Sequence, residues 1–322
     1  MAAECVIGVD LGGTKLLAGI VDADLNVHHR AYRKSRAADS TELLATVADA
    51  VAEVRDAFAG EVSAVGFGIP SLIDRERGVA ESTVHLPLAD VPFRDLMAEH
   101  IGLPIALDND GNAAMVAEHR HGAAQDASDA VLLTLGTGIA GAIVAGGRLI
   151  RGVHGAAGEL GHMVIDHDGP RCSGNCPSRG CLEALASGTA LATEAMRVAA
   201  EHPDSELRSA VEAGRDVTSA LTVELAHDGD ALARRVVTTI GERLGVGIAN
   251  VINIFNPSVV VIGGGVIAAG ELLLEPARRV ARERALPPSR DMAQIVPARF
   301  GAESGMLGAA LMAFDLGPEG RR

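Results

Sequence analysis

The chain has 322 residues, of which 48% are apolar and 22% are charged, a composition typical of a folded globular protein rather than a disordered one. Its formal net charge of −14 argues against DNA or RNA as the main partner, because proteins bind phosphates largely through Lys and Arg. The length exceeds the usual size of one hydrophobic core, so we expect two domains.

The first predicted elements are a buried strand, a glycine turn and a second strand. Val6–Asp10 is the first strand, Gly12-Gly13-Thr14-Lys15 follows as the turn, and Leu16–Val21 is the second strand. Glu4 and Asp10 interrupt the first apolar run, and this does not fit a secretory signal peptide. Four cysteines are also too few for a disulfide-stapled domain, so we expect a cytoplasmic protein.

Next along the chain the pattern predicts a helix, two strands and another helix. Asp39, followed by Glu three residues later, indicates a helix start, because this spacing satisfies free backbone N–H groups. Val62–Gly68 and Ile105–Leu107 are predicted strands. The second of these delivers Asp108-Asn109-Asp110 to its carboxyl end, where Gly111 can open a helix.

The strand-turn-strand pattern recurs after residue 130. Val131–Thr134 leads into Gly136-Thr137-Gly138 and then into Ile139–Ala145, with an offset of 124 residues between Asp10 and Thr134. Two such units predict an internally duplicated fold of two α/β domains. Chance similarity between two glycine-rich hairpins is the alternative.

The second half is predicted to be mostly helical from Thr189 to about Asn253, with breaks near Pro203 and Gly214. A buried strand, a glycine run and two further helices follow, over Val259–Ile262, Gly263–Gly265, 271–284 and Ser304–Phe314. No charged residue lies between Leu244 and Gly270, but asparagines, a proline and glycines break this stretch, so we expect no membrane span. The alternation of elements predicts α/β layering around largely parallel central strands.

Three glycine-rich turns follow apolar strands, and together they favour a bound nucleotide. Glycine lets the backbone approach a phosphate closely and direct its N–H groups at it. None of the turns is a Walker or dinucleotide-binding sequence. Asp10, beside the first turn, is a candidate partner for Mg²⁺ through water, or else a carboxylate that only stabilises the turn.

Asn109 and Asp110 are candidates for acid–base chemistry. Phosphoryl transfer to an alcohol requires placement, charge neutralisation and a base, and Asp110 can accept the hydroxyl proton while Asn109 holds a neighbouring hydroxyl. The alternative is an Asn-Asp helix cap without catalytic function.

The densest cluster of reactive side chains predicts a structural zinc site. Cys172, Cys176 and Cys181 with His162 form a Cys₃His set, which is a usual tetrahedral ligand set for Zn²⁺. Reduced cysteines in an irregular loop are the alternative. A metal that orders this loop would also place Glu159 and Glu183, whose carboxylates suit a polyol, although both glutamates could be surface charges only.

These motifs resemble those of the ROK family of bacterial sugar kinases, and of its glucokinase branch in particular. The similarity covers almost the whole chain and rests on Val9–Lys15, Leu135–Gly141, Asn109–Ala114, Gly155–His162, Gly180–Ala184 and Val260–Gly265.

The resemblance implies an actin-like ATPase fold, related to ribonuclease H, with a cleft between two α/β domains. We expect a small domain over residues 1–113, completed by a C-terminal helix over 304–322, and a large domain over 114–303 that carries the zinc loop. The resemblance also implies ATP, Mg²⁺, structural zinc, a homodimer, and transfer of phosphate to the 6-hydroxyl of a hexose, glucose first.

Carried over residue by residue, the resemblance makes Asp110 the general base. It assigns the hexose to Asn109, Asp110, Glu159, His162 and Glu183. It assigns the nucleotide to Asp10, Gly12, Gly13, Thr14, Lys15, Gly136, Thr137, Gly138, Gly264 and Gly265. Zinc is assigned to His162, Cys172, Cys176 and Cys181.

The chain departs from the family pattern at several places, including Gly111 and Ser71, and two departures bear on the predicted sites. Cys172-x₃-Cys176 is two residues longer than the usual Cys-x-Cys, and His85 stands where Asn is usual. The second change leaves a kinase for mannose, fructose or an N-acetylhexosamine as an alternative. A sugar-sensing ROK repressor is a further alternative, but the first strand begins by Val6 and leaves no room before it for a DNA-binding segment.

Overall fold

The computed structural model describes residues 4–83 and 86–316, so His85 lies outside the described residues. The chain divides into two compact units. Unit 1 comprises Met1–Asp126, Leu149–Gly158 and Glu303–Arg322, and unit 2 comprises Ala127–Arg148 and Glu159–Ala302. The domain boundary predicted after residue 113 falls inside a helix of unit 1. Of the predicted C-terminal helix, residues 317–322 lie outside the described part of the chain.

The strands are β1 Cys5–Leu11, β2 Lys15–Asp22, β3 Val27–Lys34, β4 Val62–Ile69, β5 Ser71–Asp74, β6 Val79–Thr83, β7 Ile105–Asn109, β8 Ala130–Leu135, β9 Ile139–Ala145, β10 Arg148–Leu149, β11 Val259–Gly263 and β12 Gln294–Pro297. The α-helices are α1 Ser40–Asp56, α2 Phe93–Ile101, α3 Asp110–His121, α4 Leu182–Ala186, α5 Gly188–Glu201, α6 Glu206–Glu212, α7 Ser219–His227, α8 Ala231–Phe255, α9 Glu271–Arg284, α10 Ser289–Met292 and α11 Ser304–Phe314. Short 3-10 helices cover Leu160–His162, Gly265–Ala269 and Gly301–Glu303.

Each unit is built on a five-stranded sheet, and the two sheets have the same strand order. In unit 1 the order is β3-β2-β1-β4-β7, and in unit 2 it is β10-β9-β8-β11-β12. Strand β1 forms an antiparallel hairpin with β2 and pairs in parallel with β4 on its other side. Strand β8 does the same with β9 and β11. Asp10 faces Gly68 of β4, as Thr134 faces Gly263 of β11. The predicted internal duplication is therefore present in the backbone.

Helix α11 packs against the sheet of unit 1 at unusually close range, and glycines make this possible. A Cβ at Gly8 would lie 2.0 Å from the carbonyl oxygen of Met306, and one at Gly66 would lie 1.8 Å from that of Ala309. On the opposite side, a Cβ at Gly308 would lie 1.6 Å from the carbonyl oxygen of Ala113 in α3. Because such contacts leave no room for a side chain, α11 fixes α3 against the strands of unit 1.

Local signals place the ends of several elements where the sequence predicts them. Asp39 caps α1 by accepting a hydrogen bond from the Glu42 amide, and Glu42 accepts one from the Ala38 amide. Helices α9 and α11 have the predicted limits. The helical stretch after residue 188 breaks at a third place as well, at Asp228–Asp230, where Asp230 caps α8. Over the described ranges, no helix has the length and apolar character that crossing a bilayer requires.

Candidate active site

The first glycine turn joins β1 to β2 in unit 1. The Gly12 amide donates to the Lys15 carbonyl at 2.8 Å, and Thr14 and Lys15 are exposed at the tip. Ser35, which sequence reasoning missed, directly follows β3 and holds the turn. Its hydroxyl donates to the Gly12 carbonyl at 2.7 Å, and its amide donates to the Thr14 carbonyl at 3.2 Å. The turn is thus fixed by its neighbours while its tip stays accessible to a ligand.

Within unit 1, the carboxylates of Asp10 and Asp110 are close enough for their charges to interact. Burial, and secondly the charge of Asp110, raise the pKa of Asp10 from its ordinary 3.8 to about 7. The start of α11 contributes to this burial, because a Cβ at Gly305 would lie 2.5 Å from the Asp10 carboxyl carbon. Two carboxylates arranged in this way favour a cation between or beside them, which fits the predicted Mg²⁺ partner.

Asn109 is the N-cap of α3, so the cap interpretation of this residue is confirmed. Its side-chain oxygen accepts hydrogen bonds from the amides of Gly111 at 2.9 Å and Asn112 at 3.3 Å. Asp110 is the first residue of the helix, and its Oδ1 atom accepts a hydrogen bond from the Gly111 amide at 2.9 Å. The cap does not compete with a catalytic role for Asp110. It fixes the backbone from which that carboxylate extends.

Asp108 is a second residue to which sequence reasoning gave no function. It is 1% exposed, and one carboxylate oxygen accepts hydrogen bonds from the Asn109 amide and the Asn112 side chain, both at 2.9 Å. The other oxygen lies 2.7 Å from Nε of Arg151 and 3.6 Å from Nε of Arg75. Asp108 therefore anchors the Asn109-Asp110 segment through these hydrogen bonds. The sequence signal that could have identified Asp108 is its position as an acidic residue near the end of a buried strand.

In unit 2 the second and third glycine turns lie together at the carboxyl ends of β8 and β11. The Gly136 amide donates to the Gly138 carbonyl at 2.9 Å and closes the second turn. Gly264 has φ +81°, and a Cβ there would lie 2.4 Å from the Leu135 carbonyl oxygen. The third turn thus needs glycine both for its conformation and for its approach to β8.

The predicted metal ligands come together in unit 2. The ligand atoms of His162, Cys172, Cys176 and Cys181 all lie within 4.8 Å of one another. The sulfurs of Cys176 and Cys181 are 3.9 Å apart. A tetrahedral site with Zn–S bonds of about 2.3 Å would place two sulfurs about 3.8 Å apart. Burial raises the pKa of the Cys172 thiol, so a cation is needed to hold it as a thiolate. The residues fit zinc.

His162 and the two glutamates extend from the metal cluster. The Nδ1 atom of His162 lies 3.4 Å from the Cys172 sulfur, and its Nε2 atom lies 3.8 Å from a carboxylate oxygen of Glu159. The Glu159 side chain is half exposed. Glu183 is 7% exposed and accepts hydrogen bonds from the Ile139 amide and the Ser173 hydroxyl, so it is not a surface charge.

The predicted site residues therefore form two groups. Unit 1 holds Asp10, Gly12, Gly13, Thr14, Lys15, Asn109 and Asp110. Unit 2 holds Gly136, Thr137, Gly138, Glu159, His162, Cys172, Cys176, Cys181, Glu183, Gly264 and Gly265. Each group combines a glycine turn with carboxylates, and unit 2 adds the metal ligands.

Comparison with known proteins identifies relatives over nearly the whole chain. A glucokinase from Thermotoga maritima is 34% identical over 95% of this chain and 96% of its own length. A glucokinase from Halalkalibacterium halodurans is 35% identical over 96% of this chain and 94% of its own. A ROK family glucokinase from Streptomyces griseus, solved with glucose and AMPPNP, is 33% identical and superposes with a TM-score of 0.89 over 96% of this chain and 99% of its own.

The fold of these neighbours is the actin-like ATPase fold, as the resemblance implied. The model of the ROK family matches residues 6–315, and the chain belongs to this family.

Proposed function

We propose that the chain is a glucokinase that transfers the γ-phosphoryl group of ATP to the 6-hydroxyl of glucose. Nearly full-length relatives carry that name, and the Streptomyces griseus relative was solved with glucose and an ATP analogue. Within this chain the proposal rests above all on one observation. Asp110 stands at the capped start of α3, close enough to Asp10 for their charges to interact.

Asp110 is the proposed general base. It accepts the proton of the sugar hydroxyl as that oxygen bonds to the γ-phosphorus, and the bond from phosphorus to the departing ADP oxygen breaks. Asn109 and Asp108 keep the Asp110 backbone fixed through the cap and the anchor described above. Such positioning matters because phosphoryl transfer asks little of the protein beyond placement and charge stabilisation.

The nucleotide is assigned to the three glycine turns, whose amides suit phosphate oxygens. Mg²⁺, associated with Asp10 through water, would neutralise charge on the phosphates. The sugar is assigned to Asn109, Asp110, Glu159, His162 and Glu183. We further propose that zinc occupies the Cys₃His cluster as a structural metal. We infer from the resemblance that the protein is a cytoplasmic homodimer.

The test is Asp110→Asn, with Asp95→Asn as the control. Asp95 is an exposed carboxylate on α2, 71% exposed, that carries no proposed role. We expect Asp110→Asn to lower kcat about 10²–10⁴-fold in an ADP-release assay, because only the proton acceptor is removed. Glucose affinity, measured by calorimetry, should change little. A kcat near that of the control would refute the role of Asp110.

A panel of hexoses separates the proposed substrate from its alternatives. We expect kcat/KM for glucose to exceed that for mannose, fructose and N-acetylhexosamines. A higher value for one of those sugars would leave the kinase assignment in place and overturn glucose as the substrate.

A further inference from the structure

The segment that follows the last metal ligand also holds the second glycine turn. Cys181 precedes α4, and three bonds run from α4 and α5 to the turn. The Ile139 amide donates to Glu183 at 2.8 Å, the Gly188 amide donates to the Gly136 carbonyl at 2.8 Å, and the Thr189 hydroxyl donates to the Thr137 carbonyl at 2.7 Å. The metal loop and the turn are therefore joined through a short stretch of chain.

Glu183 makes the most direct of these connections. Its Oε2 atom occupies the space beside Gly138, where a Cβ would lie only 2.2 Å from it. Its Oε1 atom accepts a short hydrogen bond from the Ser173 hydroxyl at 2.7 Å and a long one from the Cys172 thiol at 4.0 Å. Because both oxygens are bonded and the residue is almost fully buried, the carboxylate is held in one orientation.

Ser173 belongs to the metal loop itself. It follows Cys172 directly and lies within the Cys172-x₃-Cys176 stretch. The metal loop thus supplies a hydroxyl to Glu183. The amide of Cys172 is in turn bonded to the Ser178 carbonyl at 3.0 Å, which closes the loop around the cluster.

We propose that Ser173 is a positioning residue that acts through Glu183 on the Gly136–Gly138 turn. Order in the metal loop fixes Ser173, Ser173 fixes the Glu183 carboxylate, and the carboxylate fixes the Ile139 amide at the end of the turn. The metal site thereby contributes to nucleotide affinity without touching the nucleotide. The nucleotide part of this inference rests on the proposed function, whereas the effect on the turn does not.

The test compares Ser173→Ala with Ser173→Thr and with Asn175→Ala. Threonine keeps the hydroxyl, and Asn175 is an exposed residue of the same loop. The first readout is hydrogen exchange of the peptide over residues 136–139, measured without nucleotide. We expect faster exchange in Ser173→Ala, wild-type exchange in Asn175→Ala, and recovery in Ser173→Thr.

The second readout is affinity for AMPPNP by calorimetry, with metal content measured on the same samples. We expect AMPPNP affinity to fall about 10-fold in Ser173→Ala, because the turn would be less ordered before the nucleotide binds. One metal ion per chain should remain. Chelation of the wild-type protein should increase exchange at 136–139 as well.

Two results would overturn the inference. One is unchanged exchange at 136–139 in Ser173→Ala. The other is loss of the metal from that variant, because the effect would then run through the cluster rather than through Glu183. If the wild-type protein binds no AMPPNP, the proposed function fails, while the exchange experiment still decides whether Ser173 controls the turn.

Discussion

Replacement of Asp10 by asparagine should change how the stability of the protein depends on pH. Burial and the charge of Asp110 raise the pKa of Asp10 to about 7, above its ordinary value of 3.8. The folded protein therefore holds a proton that the unfolded chain releases between about pH 4 and pH 7. Stability from this proton is fully present below pH 4 and is lost as the pH rises through 7. An asparagine side chain cannot ionise, so the Asp10→Asn variant should not show this loss.

The size of the effect follows from the two pKa values. Their separation corresponds to about 4 kcal/mol over the whole range, since one pKa unit is worth about 1.4 kcal/mol. Between pH 5 and pH 8 the wild-type protein should lose about 2–3 kcal/mol of unfolding free energy relative to Asp10→Asn. The variant should therefore be relatively more stable at pH 8, although we expect it to be a poor kinase.

The assay is urea unfolding at pH 5 and pH 8 without Mg²⁺ or nucleotide. Circular dichroism is the suitable signal because the chain has no tryptophan and one tyrosine. Asp129→Asn is the control. The hydrogen bond from Ser128, and secondly that from the Gly146 amide, lower the pKa of Asp129, so its contribution is complete by pH 5. If the unfolding free energies of wild type and Asp10→Asn changed by the same amount between pH 5 and pH 8, the argument that folding disfavours ionised Asp10 would be refuted.

Three further changes probe other parts of the molecule. Cys176→Ser should lose the bound metal and lower the thermal midpoint, and one zinc ion per chain in the purified variant would contradict its role as a ligand. Gly308→Ala should destabilise unit 1 by about 1–3 kcal/mol in urea, because its Cβ would lie 1.6 Å from the Ala113 carbonyl oxygen. Asp108→Asn should cost about 1.5–3 kcal/mol by weakening the hydrogen bond from Arg151, and the double variant with Arg151→Met should recover part of that loss. Equal stability of the single Asp108 variant and the wild type would exclude the anchor.

Much of the fold was predictable because its signals are local. The Asp39 cap, the buried strand Val259–Gly263 and the limits of α9 and α11 follow from periodicity and cap residues near each element. Strand β3 was missed because it alternates exposed polar residues with few buried ones, and the β5–β6 hairpin was missed because its strands are short. Such strands depend on their neighbours in the sheet more than on their own sequence.

The site was predictable where residues cluster along the chain. The predicted metal ligands lie within twenty residues of sequence, and their atoms converge in the structure. By contrast, Ser35 contacts the first turn across 23 residues of sequence, and Arg151 contacts Asp108 across 43 residues of sequence. Contacts of that kind arise from tertiary packing, so no pattern within a short window could indicate them.

The two units show how a duplicated frame can take on different chemistry at equivalent positions. Asp10 of β1 corresponds to Thr134 of β8, and each stands beside a glycine turn. In unit 1 the turn is supported by Ser35 and lies next to the interacting carboxylates of Asp10 and Asp110. These carboxylates favour ligands that bring a cation to the turn. In unit 2 threonine replaces the aspartate, and Glu183 supports the turn instead, through a carboxylate directed at a backbone amide. This hydrogen bond orients the Glu183 carboxylate, which keeps its negative charge beside Gly138. A phosphate group beside either turn would therefore meet a carboxylate, Asp10 in unit 1 and Glu183 in unit 2, so both turns favour a phosphate that brings a cation.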